Sequence, residues 1–171
     1  MNIILLGYMT SGKSVIGKKM SQILKKPFQD LDDYIEKKEG ISISEIFKTK
    51  GEIYFRKIEA KHLKGFLMQK DMILSLGGGT PCYGNNIELI KQQADSKSVY
   101  LNVSVVELSK RLFNNKANRP LVSHLKSEEE VSEFVGKHIF ERLNFYNQAD
   151  MTINANNTPD EIVEDILLKL I

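Results

Sequence analysis

The sequence predicts a three-layer α/β/α fold, a parallel sheet with helices on both faces. Three observations carry this prediction. Short apolar or β-branched runs alternate with stretches of helical period along the chain, and strands joined through helices lie parallel. The run Met72-Ile73-Leu74-Ser75-Leu76 leans apolar throughout instead of alternating, the pattern of a strand buried on both faces. The stretch Gly7 to Ser14, GYMTSGKS, matches G-x-x-x-x-G-K-[ST] without a mismatch and sits between a strand-like and a helix-like segment.

In order, residues 2–6 (NIILL) have strand length and β-branched content. Residues 15–24 repeat apolar positions at helical spacing. Residues 27–32, PFQDLD, form a short candidate strand ending in acids. Two helical stretches follow near 33–37 and 42–48, with Ser42 and Glu45 spaced as a capping box. A longer helix covers about 52–68. The buried strand 72–76 ends abruptly in Gly77-Gly78-Gly79. A helix near 84–93 precedes the strand 98–103, and Ser104 caps a helix reaching about 113. Residues 114–120, NNKANRP, are polar and turn-rich and read as an exposed loop. A long helix over 127–148, a short strand at 151–154 and a last helix from 158 complete the chain.

GYMTSGKS carries the first chemistry. Gly7 and Gly12 let the backbone curl so that successive N–H groups point at phosphate oxygens, and the helix that follows adds its partial positive charge. Gly7, Met9, Thr10, Ser11, Gly12, Lys13, Ser14 and Val15 are thus the candidate nucleoside-triphosphate-binding set. The Lys13 ammonium can reach the β- and γ-phosphates, and the Ser14 hydroxyl is placed to ligate Mg²⁺. A second acid for the metal is sought at the end of a strand. The core run MILSL ends in glycines instead, so Asp30 and Asp32 are the strand-terminating acids. Strand alternation places both on one side: if this strand lies beside the first, Asp30 can approach the metal, with Asp32 further out as partner or base for an acceptor hydroxyl. The alternative is a solvated acidic turn.

Gly77, Gly78 and Gly79 at the carboxyl end of a core strand let a ligand approach the backbone, or form a plain turn. Arg56 shares a helical stripe with Ala60, Leu63 and Leu67, and Glu59 three residues on can hold its guanidinium. Arg142 shares a stripe with Val135, Ile139 and Tyr146. An inward arginine needs an anionic partner, and its planar fork suits a carboxylate or phosphate; ordinary ion pairs would also account for both. Arg119, in the polar loop, can close over the γ-phosphate or stay solvated. Cys82 reads as a small filler, Tyr146 as core, and His62, His124 and His138 lack metal-ligand spacing.

Composition excludes several classes. A length of 171 residues with 42% hydrophobic content is expected to form one domain, 1–171, with a real core. No run of apolar residues is long enough to span a membrane, and the start MNIILLGYMT lacks a basic leader segment. A single cysteine allows no intramolecular disulfide and fits a reducing cytoplasm. Twenty-four Lys and Arg against 22 Asp and Glu give +2, which is no nucleic-acid signature.

Taken together, GYMTSGKS, PFQDLDDYIE, SISEIFKTKGEIYFRKIE, LSLGGGT, NRPL and ERLNFY resemble, in that order and spacing, the shikimate kinase family over nearly the whole chain. The resemblance implies the nucleoside monophosphate kinase fold, a five-stranded parallel sheet in the order 2-3-1-4-5. It implies a substrate-binding helical segment at about 32–60 and a lid loop at about 112–125. It implies ATP-dependent phosphorylation of the shikimate 3-hydroxyl, on the route to chorismate and the aromatic amino acids, by a cytoplasmic monomer. Under it Asp32, Arg56, Gly78 and Arg142 bind shikimate, with Gly77 and Gly79 beside them. Lys13, Ser14 and Asp30 serve phosphates and Mg²⁺, Arg119 is the lid arginine, and Arg111 stacks near adenine. Asn154 stands where the family often has an acid.

The residues alone require a small hydroxylated carboxylic acid as acceptor, which shikimate and gluconate both satisfy; the resemblance selects shikimate. A GTPase-type switch is the rival from another class. Asn115-Lys116-Ala117-Asn118 lacks the final Asp of an NKxD guanine reader, and no D-x-x-G follows the phosphate loop.

Overall fold

The computed structural model describes residues 1–115 and 121–170. Its centre is β1 (Asn2–Leu6), five residues buried without exception. Their side chains divide by pleat: Ile3 and Leu5 enter one core, Ile4 and Leu6 the other. One strand therefore seeds two hydrophobic layers, as the three-layer expectation requires.

Around β1 the strands β2 (Phe28–Asp30), β3 (Ile73–Ser75), β4 (Ser96–Asn102) and β5 (Met151–Asn154) form a five-stranded sheet in the order 2-3-1-4-5. Every pairing is parallel, and the register sets Leu5 beside Ser75 and Val99. The expected strand order is thus observed. The strands begin and end within a few residues of their predicted limits, with one consequential exception in β2.

Helices cover both faces. On one side, Ile16 and Met20 of α1 (Lys13–Leu24), Leu108 and Leu112 of α6 (Val105–Asn114), Val131 and Val135 of α7 (Glu128–Tyr146) and Ile162 and Ile166 of α8 (Pro159–Leu170) join Ile3 and Leu5. On the other, Leu31 and Ile35 of α2 (Leu31–Glu39), Ile46 of α3 (Ile43–Lys50), Phe55 and Leu63 of α4 (Glu52–Leu67) and Ile87 and Ile90 of α5 (Asn86–Lys91) surround Ile4 and Leu6. The caps are those the sequence offers. Ser42, Ser104 and Ser127 each accept from the backbone N–H three residues on.

The exception concerns Asp30 and Asp32. The strand stops at Asp30, whose side chain caps α2 by accepting from the backbone N–H groups of Asp32 and Asp33. Asp32 lies in the first turn of a helix, so strand alternation does not set its direction. Helix capping by Asp30 outcompeted one more strand pair, and acids at positions 32 and 33 favour the positive end of α2. The helix predicted at 84–93 is also shorter, because Thr80–Cys82 form a 3-10 turn and α5 begins only at Asn86.

Candidate active site

The carboxyl ends of β1, β2 and β3 bring the phosphate loop, the acidic turn and the glycine run together, where ligands bind in such sheets. Gly12 closes the loop with φ 94°, a left-handed conformation favouring glycine, and Lys13 opens α1. The Lys13 ammonium is buried over the loop and donates to the carbonyl oxygens of Gly7 at 2.8 Å and Tyr8 at 2.9 Å. Thr10 adopts φ 63°, rare for a β-branched residue, and its buried hydroxyl has no hydrogen-bond partner among the described residues. Strain of this kind concentrates at functional loops.

Ser14 and Asp30 meet, although β2 does not lie beside β1: β3 stands between them and sets Ser75 next to Asp30. The Ser14 hydroxyl donates to Asp30 Oδ2 at 2.8 Å, and the Ser75 hydroxyl donates to the same oxygen at 2.9 Å. Asp30 Oδ1 turns the other way to cap α2. A hydroxyl beside a carboxylate is a hard oxygen set, and such a set fits Mg²⁺.

Asp32 reaches the glycine run. A Cβ placed on Gly77 would lie 2.6 Å from Asp32 Oδ1, so only glycine admits the carboxylate there. Burial pushes the Asp32 carboxyl up from 3.8 to about 7, and the nearby negative charges of Asp30 and Glu59 push the same way. Lys13 and Arg56 pull it back without cancelling the rise. A carboxyl titrating near neutrality is suited to accept a proton.

Arg56 faces inward and is held on two sides. Its Nη1 donates to Glu59 at 2.8 Å, and its guanidinium lies 3.6 Å from the centre of the Tyr83 ring. Glu59 is 1% exposed and also accepts from the Thr80 hydroxyl at 2.7 Å. The pair expected between residues 56 and 59 is therefore real, and it orients a guanidinium whose outer edge lies against Gly79. Arg142 is as buried, at 14% side-chain exposure, but much less well paired. Its Nη1 donates to the His138 carbonyl at 3.0 Å, and Glu141 stays 3.9 Å away. Arg142 thus retains most of its capacity to bind an anion.

The remaining candidate residues take other places. Arg111 donates from Nε to Glu107 and from Nη1 to the Thr10 carbonyl, which seats it against the phosphate loop. Arg119 lies outside the described residues. Tyr146 is core, with no exposure, yet its hydroxyl donates to the Gly78 carbonyl at 2.6 Å and braces the glycine run. Thr80 and Tyr83 escaped the sequence reading. Thr80 directly follows the glycine run, and the polar residue beside Pro81 was the available signal.

A family model for shikimate kinase matches residues 9–171. The shikimate kinase of Flavobacterium johnsoniae is 48% identical over 167 residues, covering 96% of both chains. The crystal structure of shikimate kinase from Bacteroides thetaiotaomicron superposes with a TM-score of 0.92 at 32% identity, covering 99% of this chain and 98% of that one. A structure of the Acinetobacter baumannii shikimate kinase in complex with shikimate gives 0.86 at 31% identity, covering 99% and 92%. The charges of Lys13 and Arg56 bear on Asp32, and that of Arg142 bears on Tyr8 of the phosphate loop and, with Arg56, on Cys82; the chain, matched along almost its whole length, belongs to the shikimate kinase family.

Proposed function

We propose a division of labour among these residues for the reaction of the family, transfer of the ATP γ-phosphoryl group to the 3-hydroxyl of shikimate. The chain is an ATP-using kinase acting on shikimate, with shikimate 3-phosphate and ADP as products. The observation that supports the assignment is the buried, weakly paired guanidinium of Arg142, whose charge bears on Tyr8 of the phosphate loop and, together with Arg56, on Cys82.

Gly7 and the residues from Met9 to Val15 receive the nucleotide phosphates, and Lys13 leaves its carbonyl partners for phosphate oxygens, a stronger charge-assisted contact. Arg56 and Arg142 bind the shikimate carboxylate, and Gly77 to Gly79 admit its ring. Asp32 accepts the proton of the 3-hydroxyl as the oxygen forms its bond to the γ-phosphorus and the bond to the ADP oxygen breaks. Ser14 and Asp30 would hold Mg²⁺, which would supply charge neutralisation at the phosphates. Arg111 serves the nucleotide side and Arg119 a lid spanning about 112–125, while 32–60 is the acceptor-binding segment. The whole acts as one domain and as a cytoplasmic monomer without nucleic-acid partners. Among the described residues no helix is long and apolar enough to cross a membrane.

The test is ADP release by purified protein with Mg²⁺ and ATP. Shikimate, its analogue with the carboxylate reduced to an alcohol, gluconate and a nucleoside monophosphate are offered in parallel. Shikimate is expected to be strongly preferred. Preference for gluconate or the monophosphate defeats the acceptor assignment, and equal use of shikimate and its alcohol analogue defeats the carboxylate clamp.

A further inference from the structure

Helix α7 touches the phosphate loop and the glycine run at two points, one on either side of Arg142. Four residues before Arg142, His138 Nδ1 lies 2.9 Å from the Tyr8 hydroxyl, and the two rings meet edge to face at 5.5 Å. Four residues after it, the Tyr146 hydroxyl donates to the Gly78 carbonyl, and the Tyr146 ring stacks on Tyr100 at 5.0 Å. Positions 138, 142 and 146 share one helix face, so the arginine is suspended between two anchors.

Tyr8 is the less expected of these anchors. It is the variable second position of the phosphate loop, where the motif asks nothing of the side chain. Yet it is only 3% exposed, and burying its hydroxyl is costly unless a partner is supplied. The partner comes from 130 positions away in the chain. Burial and the Arg142 cation together push the His138 imidazole down to about 4, so at neutral pH it is an uncharged hydrogen-bonding group. Phe134 flanks its ring at 5.1 Å, which limits ring rotation. The main-chain carbonyl of the same Tyr8 receives the Lys13 ammonium at 2.9 Å. One residue therefore touches both the lysine of the phosphate side and the helix that carries the acceptor arginine.

Apolar contacts alone would let a helix slide and rotate by small amounts. Two directed hydrogen bonds eight residues apart define both its rotation and its axial position. We propose that Tyr8 and His138 are a positioning pair for the acceptor, tying α7 to the phosphate loop so that Arg142 meets the shikimate carboxylate in line with Lys13. The inference rests on the assignment of Arg142 to that carboxylate.

The test compares Tyr8→Phe, which removes one oxygen and keeps the packed ring, with His138→Leu, His138→Asn and the Tyr8→Phe/His138→Leu double variant. KM for shikimate is expected to rise about three- to tenfold in Tyr8→Phe and His138→Leu, or roughly 0.7–1.4 kcal/mol at about 1.4 kcal/mol per decade. KM for ATP is expected to stay within about twofold, because these substitutions leave the loop backbone and the Tyr8 carbonyl that receives Lys13 in place. His138→Asn, whose amide can place a polar atom near the Nδ1 position, should recover most of the loss. The double variant should be no worse than the poorer single, because both remove one interaction. The alcohol analogue of shikimate should not respond to Tyr8→Phe. An unchanged shikimate KM in Tyr8→Phe, equal rises for ATP and shikimate, or a multiplicative double variant overturns the pair. Wild-type protein that fails to phosphorylate shikimate overturns the acceptor assignment itself, and the pair with it.

Discussion

Replacing Asp32 by Asn separates the catalytic role of this carboxylate from its energetic burden. Asn has nearly the same shape and stays neutral at every pH, so it mimics the protonated acid. In the folded protein the carboxyl titrates at about 7 instead of 3.8, from burial first and then from Asp30 and Glu59. Between those two values the folded state keeps a proton that the unfolded chain has released. The wild type therefore loses stability as pH rises from about 4 to about 7, and the loss is constant above that. A shift of this size corresponds to roughly 4 kcal/mol at about 1.4 kcal/mol per pH unit, an upper bound that local relaxation reduces to about 2. Asp32→Asn should thus be more stable than wild type by about 2 kcal/mol at pH 8, and about equal to it at pH 4.5. Urea unfolding at the two pH values measures the difference. ADP release with shikimate should fall by about 10²- to 10⁴-fold in the same variant, the usual worth of a positioned base. In the wild type, kcat/KM for shikimate should rise about tenfold per pH unit below an inflection near 7, since that ratio reports the free enzyme. A stability gain equal at both pH values, or a wild-type profile flat down to pH 5, refutes the argument.

Arg56→Ala and Arg142→Ala should each lower kcat/KM for shikimate by roughly a hundred- to several-thousand-fold, from about 3–5 kcal/mol for an acceptor carboxylate left partly unpaired, and should hurt the alcohol analogue far less. Steady-state assays with both acceptors check this. Asp30→Asn should raise the Mg²⁺ concentration for half-maximal rate; it also weakens the Ser14 and Ser75 contacts, so a Mg²⁺ titration alongside a melting curve separates the two effects. Thr10→Gly should stabilise the protein by about 1–2 kcal/mol, because relief of a left-handed β-branched residue and of a buried unpaired hydroxyl exceeds the added chain entropy of glycine. Thermal unfolding would show the gain, and a lower melting temperature would contradict it.

What could be read beforehand follows the range of the interactions. The apolar run NIILL, the loop GYMTSGKS and the serine caps are decided by neighbours a few residues away, and the structure has them where they were expected. Arg56 was placed correctly because its partner Glu59 lies one helical turn away. Asp32 was assigned to a strand because DLDD was read by alternation. An Asp followed by two acids is also a helix start, and that local signal was available. The contacts of Tyr83 with Arg56, Tyr146 with Gly78 and Tyr8 with His138 join residues far apart in the chain, and no periodicity announces them.

β2 is the rim of the sheet, three residues long and bonded to a strand on one side only. The Asp30 carboxylate stands on that rim, and Asp32 follows it directly into α2. Detaching so short a rim breaks fewer contacts than dismantling the molecule, although it withdraws Phe28 from one core and Leu31 from the other. Such an excursion would carry Asp30 away from Ser14 and Ser75 and both acids out of the site together. A ligand that draws Ser14 and Asp30 onto a common cation acts as a rivet on the rim.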